Sequence, residues 1–305
     1  MNKFSFTIVM ISLFLTISFS ATAQRDFSKV EIKTEKINDH IYVLFGQGGN
    51  VGVFLGKEKV LMIDDQFAPL SEKLTAAIKE LSDQPIEQLV NTHWHGDHTG
   101  GNENFGKMGV QIIAHDNVYE RMSTKQNRGP GRTVEPSPNV ALPKITFNDK
   151  MSLRIDEEQI MLIHVDNAHT DGDAWVYFVQ SNVLHMGDTY FKGRFPFIDL
   201  SSGGSAKGCL DAANRALFLI NEETIIIPGH GQLSNKQELT AYRDMLKTII
   251  GRVEEAMSNG KNIENINHEV MTEGFEDYDG GFISGERLVT FIVRSLEAEK
   301  DTSKQ

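Results

Sequence analysis

Short apolar runs alternate with longer amphipathic ones through most of the chain. Segments 40–45, 51–55 and 59–64 are β-branched or aromatic and are separated by Gly-containing turns, a pattern that predicts an antiparallel meander. Segment 71–82 carries Leu74, Ala77, Ile78 and Leu81 at helical spacing. An apolar strand is predicted over 86–91, running directly into a histidine-rich segment. Another is predicted over 111–114, followed by a short helix over 117–122.

Beyond a stretch rich in Pro, Gly and polar residues (123–143), the alternation resumes. That stretch reads as a long surface loop, and such loops in compact domains are often functional. Segments 151–155 and 159–164 predict a hairpin around Asp156-Glu157, and strands follow at 174–178 and 182–186. A helix over 206–220 precedes a buried strand at 224–228. Ser234-x-x-Gln237 resembles a capping box opening a long helix with Leu239, Tyr242, Leu246, Ile249 and Val253 on one face, and a last helix covers 286–296. So many consecutive strands between few helices predict two sheets with helices outside them.

The first residues do not belong to that fold. Lys3 gives a positive start, residues 4–19 are an apolar run, and Ala21-Thr22-Ala23 supplies a small-x-small cleavage pattern, which predicts a signal peptide over 1–23. The run is shorter than the roughly 20 apolar residues of a membrane span. Residues 24–305 are then expected to form a single secreted or periplasmic domain with C-terminal helices, free of the membrane once the signal is cleaved. Cys209 is the only cysteine, so neither an internal disulfide nor a thiolate-rich metal site is available. Acidic residues number 42 against 30 Lys and Arg. That balance argues against nucleic acid or an anionic membrane as partner and leaves a small-molecule substrate.

The chemistry concentrates in Thr92-His93-Trp94-His95-Gly96-Asp97-His98-Thr99. Alternate residues of an extended segment face the same way, so His93 and His95 can reach one cation together. Gly96 permits a bend that turns Asp97 and His98 toward a second, while Trp94 should point into the core. Four ligands from one loop cannot complete two coordination spheres. The best further candidates lie beside glycines at the ends of predicted strands: His169, Asp188 and His230. Imidazole and carboxylate donors without thiolate suit zinc better than iron or manganese. His115, His164 and His185, in or beside apolar strands, read as core residues.

The ordered set of HxHxDH at 93–98, His169-Thr170 before Gly172, Gly187-Asp188 and Gly229-His230-Gly231 resembles the metallo-β-lactamase superfamily over residues 38–233. The resemblance implies an α/β (α+β) fold, a four-layer αββα sandwich with metals at one edge. It implies two Zn2+ per chain: His93, His95 and His169 on the first, Asp97, His98 and His230 on the second, and Asp188 bridging. A hydroxide made available by the two metals would cleave an acyl bond of amide, lactam, ester, lactone or thioester type, with Asp97 orienting the nucleophile. Asp188 stands where lactamases usually carry Cys or Ser, and resembles glyoxalase II and lactonase-like members. Export favours a β-lactam substrate. By position, Lys192 and Arg194 are candidate substrate contacts, Tyr190 a candidate oxyanion donor, and Asp171 or Asp173 a candidate support for His169. The competing readings are a mononuclear iron persulfide dioxygenase-like enzyme and a non-catalytic periplasmic zinc-binding protein.

Overall fold

The computed structural model describes residues 26–129 and 131–302; the signal peptide expected over 1–23 lies outside them. The chain begins with the antiparallel ladder β1 (Lys33–Lys36), β2 (Ile41–Phe45), β3 (Val51–Leu55) and β4 (Val60–Ile63). Helix α1 (Ser71–Leu81) returns the chain so that β5 (Ile86–Val90) lies parallel to β4. Two short helices, α2 (Gly96–Thr99) and α3 (Asn102–Lys107), lead to β6 (Gln111–His115), also parallel. After α4 (Asp116–Ser123), a small hairpin of β7 (Gln126–Asn127) and β8 (Thr133–Val134) precedes β9 (Ile145–Phe147), which closes this first sheet beside β6.

The second sheet is antiparallel through β10 (Lys150–Ile155), β11 (Glu158–His164), β12 (Ala174–Phe178) and β13 (Val183–Phe191). Its edge strand β14 (Ile225–His230) runs parallel to β13 after the crossover helix α5 (Ala206–Leu219). Helices α6 (Lys236–Ser258), α7 (His268–Thr272) and α8 (Gly285–Thr302) complete the chain. Among the described residues, no helix is long and apolar enough to cross a membrane.

Strand alternation builds the layers. In β4, Leu61 and Ile63 face the second sheet, whereas Val60 and Met62 face Leu74 and Ile78 of α1 and Phe105 of α3. In β12, Val176 and Phe178 face the first sheet, whereas Trp175 faces α5 and α6. Both sheets are therefore covered on both sides, which gives four layers in the order αββα. Phe54 and Phe178 stack across the middle at 5.7 Å, and each such buried side chain contributes roughly 1.5–3 kcal/mol.

The expected elements are present, and β1, α2 and α3 are additional to them; other details differ. Ser234 does not cap α6, because its backbone N–H and C=O pair with Ile226 and hold it extended. Asn235 is the cap, its side chain accepting from the Glu238 N–H. Within the loop expected at 123–143, residues 126–127 and 133–134 pair as the β7–β8 hairpin and a short 3-10 turn covers Asn139–Ala141. The three residues of β9 and the five of α7 are too few to register as periodicity.

Phe178→Ala should lower stability by about 3–5 kcal/mol, read as a lower urea midpoint, because the vacated volume lies between two sheets that cannot collapse onto it.

Candidate metal centre

The site sits where parallel strands end, the usual ligand position in sheets of this kind. Beyond β5 the chain bends through residues 92–94 and is extended again at His95, the N-terminal cap of α2 (φ −67°, ψ 147°). This path brings the His93 and His95 rings to within 4.9 Å, centroid to centroid. The single turn of α2 then swings Asp97 and His98 across, and the His98 ring lies 4.2 Å from that of His93. His169 comes from the β11–β12 loop, Asp188 from within β13 and His230 from the end of β14. Asn50, in the β2–β3 turn, ties the sheets together here by donating to Pro228 O and Gly231 O at 2.8 Å each. Gly229 must be glycine, because a Cβ would collide with Asp188 Oδ1.

Two groups result. His93, His95, His169 and Asp188 present donor atoms all within 4.8 Å of one another, and Asp97, His98 and His230 form a second such group. Asp188 touches both. Its Oδ2 is 3.5 Å from His169 Nε2 and 3.8 Å from His93 Nε2, while Oδ1 is 3.1 Å from His98 Nε2 and 3.3 Å from His230 Nε2. Asp97 Oδ2 lies 3.4 Å from His230 Nε2. His93 Nε2 and Asp188 Oδ1 are buried without a hydrogen-bond partner among the described residues, a costly arrangement unless something else satisfies them. Cations fit that requirement.

The outer nitrogens fix which lone pairs face inward. Asp64 Oδ1 accepts from the Thr92 N–H at 2.7 Å, and its Oδ2 accepts from Thr92 Oγ1 and from His98 Nδ1, each at 2.7 Å. With its hydroxyl proton committed to Asp64, Thr92 Oγ1 must accept from His93 Nδ1 at 3.1 Å. His169 Nδ1 donates to Phe197 O at 2.8 Å. Asp199 Oδ2 accepts from His95 Nε2 at 2.8 Å. His93, His95 and His169 thus each turn an unprotonated nitrogen toward the cluster, the tautomer a metal requires, while His98, held through Nδ1, turns Nε2 inward and must shed its proton to ligate.

Charge in the cation-free cluster is unevenly shared. Burial pushes His93 well below the usual histidine range, and it takes His95 to about 4 against the opposing effect of its hydrogen bond to Asp199. For His98 and His230, burial is outweighed by Asp188. Asp64 adds to the rise at His98, and His230, also bonded to Asp97, is raised to about 9. Asp97 and Asp188 are held below the carboxylate range because His230 and His98 outweigh their burial.

Other expected residues lie apart from the cluster. Tyr190 is buried, its hydroxyl 2.8 Å from Ser234 Oγ. Lys192 donates to Leu233 O at 2.7 Å and pairs with Glu238 at 2.9 Å. Arg194 is exposed and packs beside Gly281. Asp173 accepts from the backbone N–H groups of His169 and Thr170, so it supports the chain at His169 and not the ring. Asp171 binds Arg121 through both oxygens. Trp94 is buried against Val118, Met122 and Leu142. His115 and His185 are buried, and His115 stacks on the half-buried His164 at 3.7 Å. Phe197 packs on His95 and His169 at 5.7 and 5.6 Å, and Phe282 and Phe291 pack on Phe197. Phe282 is 73% exposed at this rim.

Asp64, Asp199 and Arg128, which donates to Asp199 Oδ2 at 2.9 Å, are absent from the expected set. Asp64 carried a signal, since a carboxylate closing an apolar strand must find partners. Asp199 and Arg128 carried none, because each lies in a loop whose path is set by tertiary contacts.

A buried His/Asp cluster with inward lone pairs, at the edge of an αββα sandwich, defines a metal-binding α/β protein. The sequence pattern of the metallo-beta-lactamase superfamily matches residues 45–230, and the chain belongs to that superfamily. It is 23% identical over 212 residues to the alpha subunit of a 2,4-dinitroanisole O-demethylase of Nocardioides sp. strain JS1661, covering 69% of this chain and 61% of that one. It is 25% identical over 178 residues to a hydroxyacylglutathione hydrolase of Polaromonas sp., covering 58% and 60% respectively. The chain thus spans about three-fifths of the length of these relatives. Among solved structures, a metallo-beta-lactamase from Pontibacter korlensis superposes with a TM-score of 0.58 at 19% identity, over 71% of this chain and 99% of that one. DIM-1 metallo-beta-lactamase gives 0.60 at 20%, over 72% and 99%. At these identities the structural likeness speaks for the fold.

Because His230 holds its proton up to about 9 without a cation, metal loading must displace that proton. Affinity at the Asp97–His98–His230 group should therefore rise with pH and fall by at least about tenfold for each unit below that value, the proton on His98 steepening the fall. Chelator competition with zinc across pH 6.5 to 8.5, with proton release followed in weak buffer, measures it.

Proposed function

We propose that the protein is a dinuclear zinc hydrolase that cleaves an acyl bond in a small substrate. The observation that carries this reading is Asp188, whose two oxygens face two separate groups of imidazoles. The donor set suits zinc. Seven ligands shared between two cations leave coordination positions open, as hydrolytic sites require and structural sites do not. Zinc bound there supplies Lewis acidity and a water acidic enough to attack near neutral pH.

The chain's own residues have distinct parts. Asp97 has a side chain 30% exposed, the most open carboxylate of the cluster, and it stays ionised next to His230. It is placed to orient the attacking water and take up its proton. Asp64, Asp199 and Phe197 O hold the imidazoles in their ligating tautomers. Asp188, which would hold both cations as an anionic ligand, and the hydroxyacylglutathione hydrolases among the relatives favour esters and thioesters. The export signal read in the sequence of residues 1–23 supports a location in the periplasm or outside the cell and keeps β-lactams as substrates to test.

Metal analysis should return two zinc ions per chain, and the loaded protein should turn over at least one of a set of thioesters, lactones and β-lactams. Asp97→Asn should lower kcat by about 100-fold or more while the His93–His95–His169 group still fills. A fully zinc-loaded protein that cleaves none of these classes would sink the hydrolase reading. One iron per chain, with oxygen consumption on a persulfide, would replace it.

A further inference from the structure

The β7–β8 hairpin reaches the metal centre through one side chain. Arg128, just after β7, extends over the Trp94 ring at 5.2 Å from its centroid. It donates through Nη2 to Asp199 Oδ2 at 2.9 Å, and that nitrogen lies 3.1 Å from His95 Nε2. Asp199 is paired with the Arg128 guanidinium and accepts from the Ser201 N–H and the Ser201 and Ser202 hydroxyls, the surroundings of a carboxylate. An ionised carboxylate only accepts. His95 Nε2 must therefore carry the proton in the 2.8 Å bond to Asp199, which leaves Nδ1 as the ligating atom. Three donors, from His95, Arg128 and the Ser202 hydroxyl, converge on this one oxygen. The other oxygen takes the backbone N–H and hydroxyl of Ser201.

We propose that Arg128 is a positioning residue for the His93–His95–His169 cation: it fixes Asp199, and through it the tautomer and tilt of His95, which makes the β7–β8 hairpin part of the metal centre. The inference rests on the reading that this cluster holds cations. Asp199 is almost fully buried, and a buried carboxylate needs a compensating charge as well as hydrogen bonds. Serine hydroxyls supply only the latter, and Arg128 is the cation in contact. The other nearby arginine of this region, Arg121, is spent on both oxygens of Asp171. The Trp94 face is a second support, since cation–π attraction holds the guanidinium next to a ring that itself packs on His95 at 5.5 Å. Arg128 thus braces His95 by two routes. The hairpin's other arginine, Arg132, is exposed and serves as an internal control.

Wild type, Arg128→Met, Arg128→Lys and Arg132→Met are compared in chelator-competition titrations with zinc and in the cobalt(II)-substituted form. Removing a partner of a metal-bound histidine typically weakens binding by about 10–100-fold. Arg128→Met should show that loss for one of the two cations only. In the cobalt form, the paramagnetically shifted His95 N–H proton should exchange faster with solvent. Arg128→Lys should recover part of the affinity, and Arg132→Met should match wild type. Wild-type affinity for both cations in Arg128→Met, with an unchanged cobalt spectrum, would overturn the proposal. Equal loss at both cations with a lower melting temperature in both Arg128 variants would also overturn it, assigning Arg128 to general stability. Failure of wild type to bind any cation would instead remove the metal-site reading itself.

Discussion

A carboxylate buried among four imidazoles is a severe constraint, and much of the local structure answers to it. Asp188 is 6% exposed, and an anion so far from water is tolerated only with close compensation. Every surrounding feature serves that end. The chain bulges at Gly187 in a left-handed conformation (φ 52°), the neighbouring strand is reduced to bare backbone at Gly229, and His93, His98, His169 and His230 converge from three separate parts of the chain. The two sheets are pinned together at the same place by Asn50. The sandwich holds these loops so that seven donors meet in one small volume.

The anchoring groups show that the two halves of the centre are not independent. Asp64 holds His98 directly and His93 through Thr92, so one carboxylate orients a ligand in each group. His95 and His169 instead depend on Asp199 and the Phe197 carbonyl, both in the segment after β13. Ligand orientation therefore rests on two foundations, one in each half of the chain. A disturbance at Asp64 reaches both cation positions, whereas one at Asp199 is confined to a single position.

Most of the fold was legible because burial imposes its period on the sequence. Unbroken apolar runs in β4 and β12 report strands covered on both faces, and the apolar stripe of α6 reports a helix lying on a sheet. The ligand candidates were legible for a different reason: a run of three histidines and an aspartate within six residues has no ordinary packing role. The supporting residues were not. Arg128 and Asp199 meet across 71 positions of sequence, joined by two loops without periodicity, and no local pattern marks either. Ser234 illustrates the opposite failure, in which a sound local signal yields to a tertiary pairing, its bridge to Ile226 leaving Asn235 to start the helix. Lys192 and Tyr190 lie close in sequence to a ligand, yet strand geometry turns both side chains toward α6 and its approach.

The aromatic rim has a separate origin from the ligands it borders. His95 and His169 lie inside the stretch shared with the superfamily, residues 45–230, and so does Phe197. Phe282 and Phe291, which extend that surface outward, come from the C-terminal segment beyond it. The donors of the centre and the outer part of the aromatic surface beside them are therefore written in different parts of the sequence. Substitutions in the C-terminal segment can reshape this aromatic surface while the seven donors stay untouched.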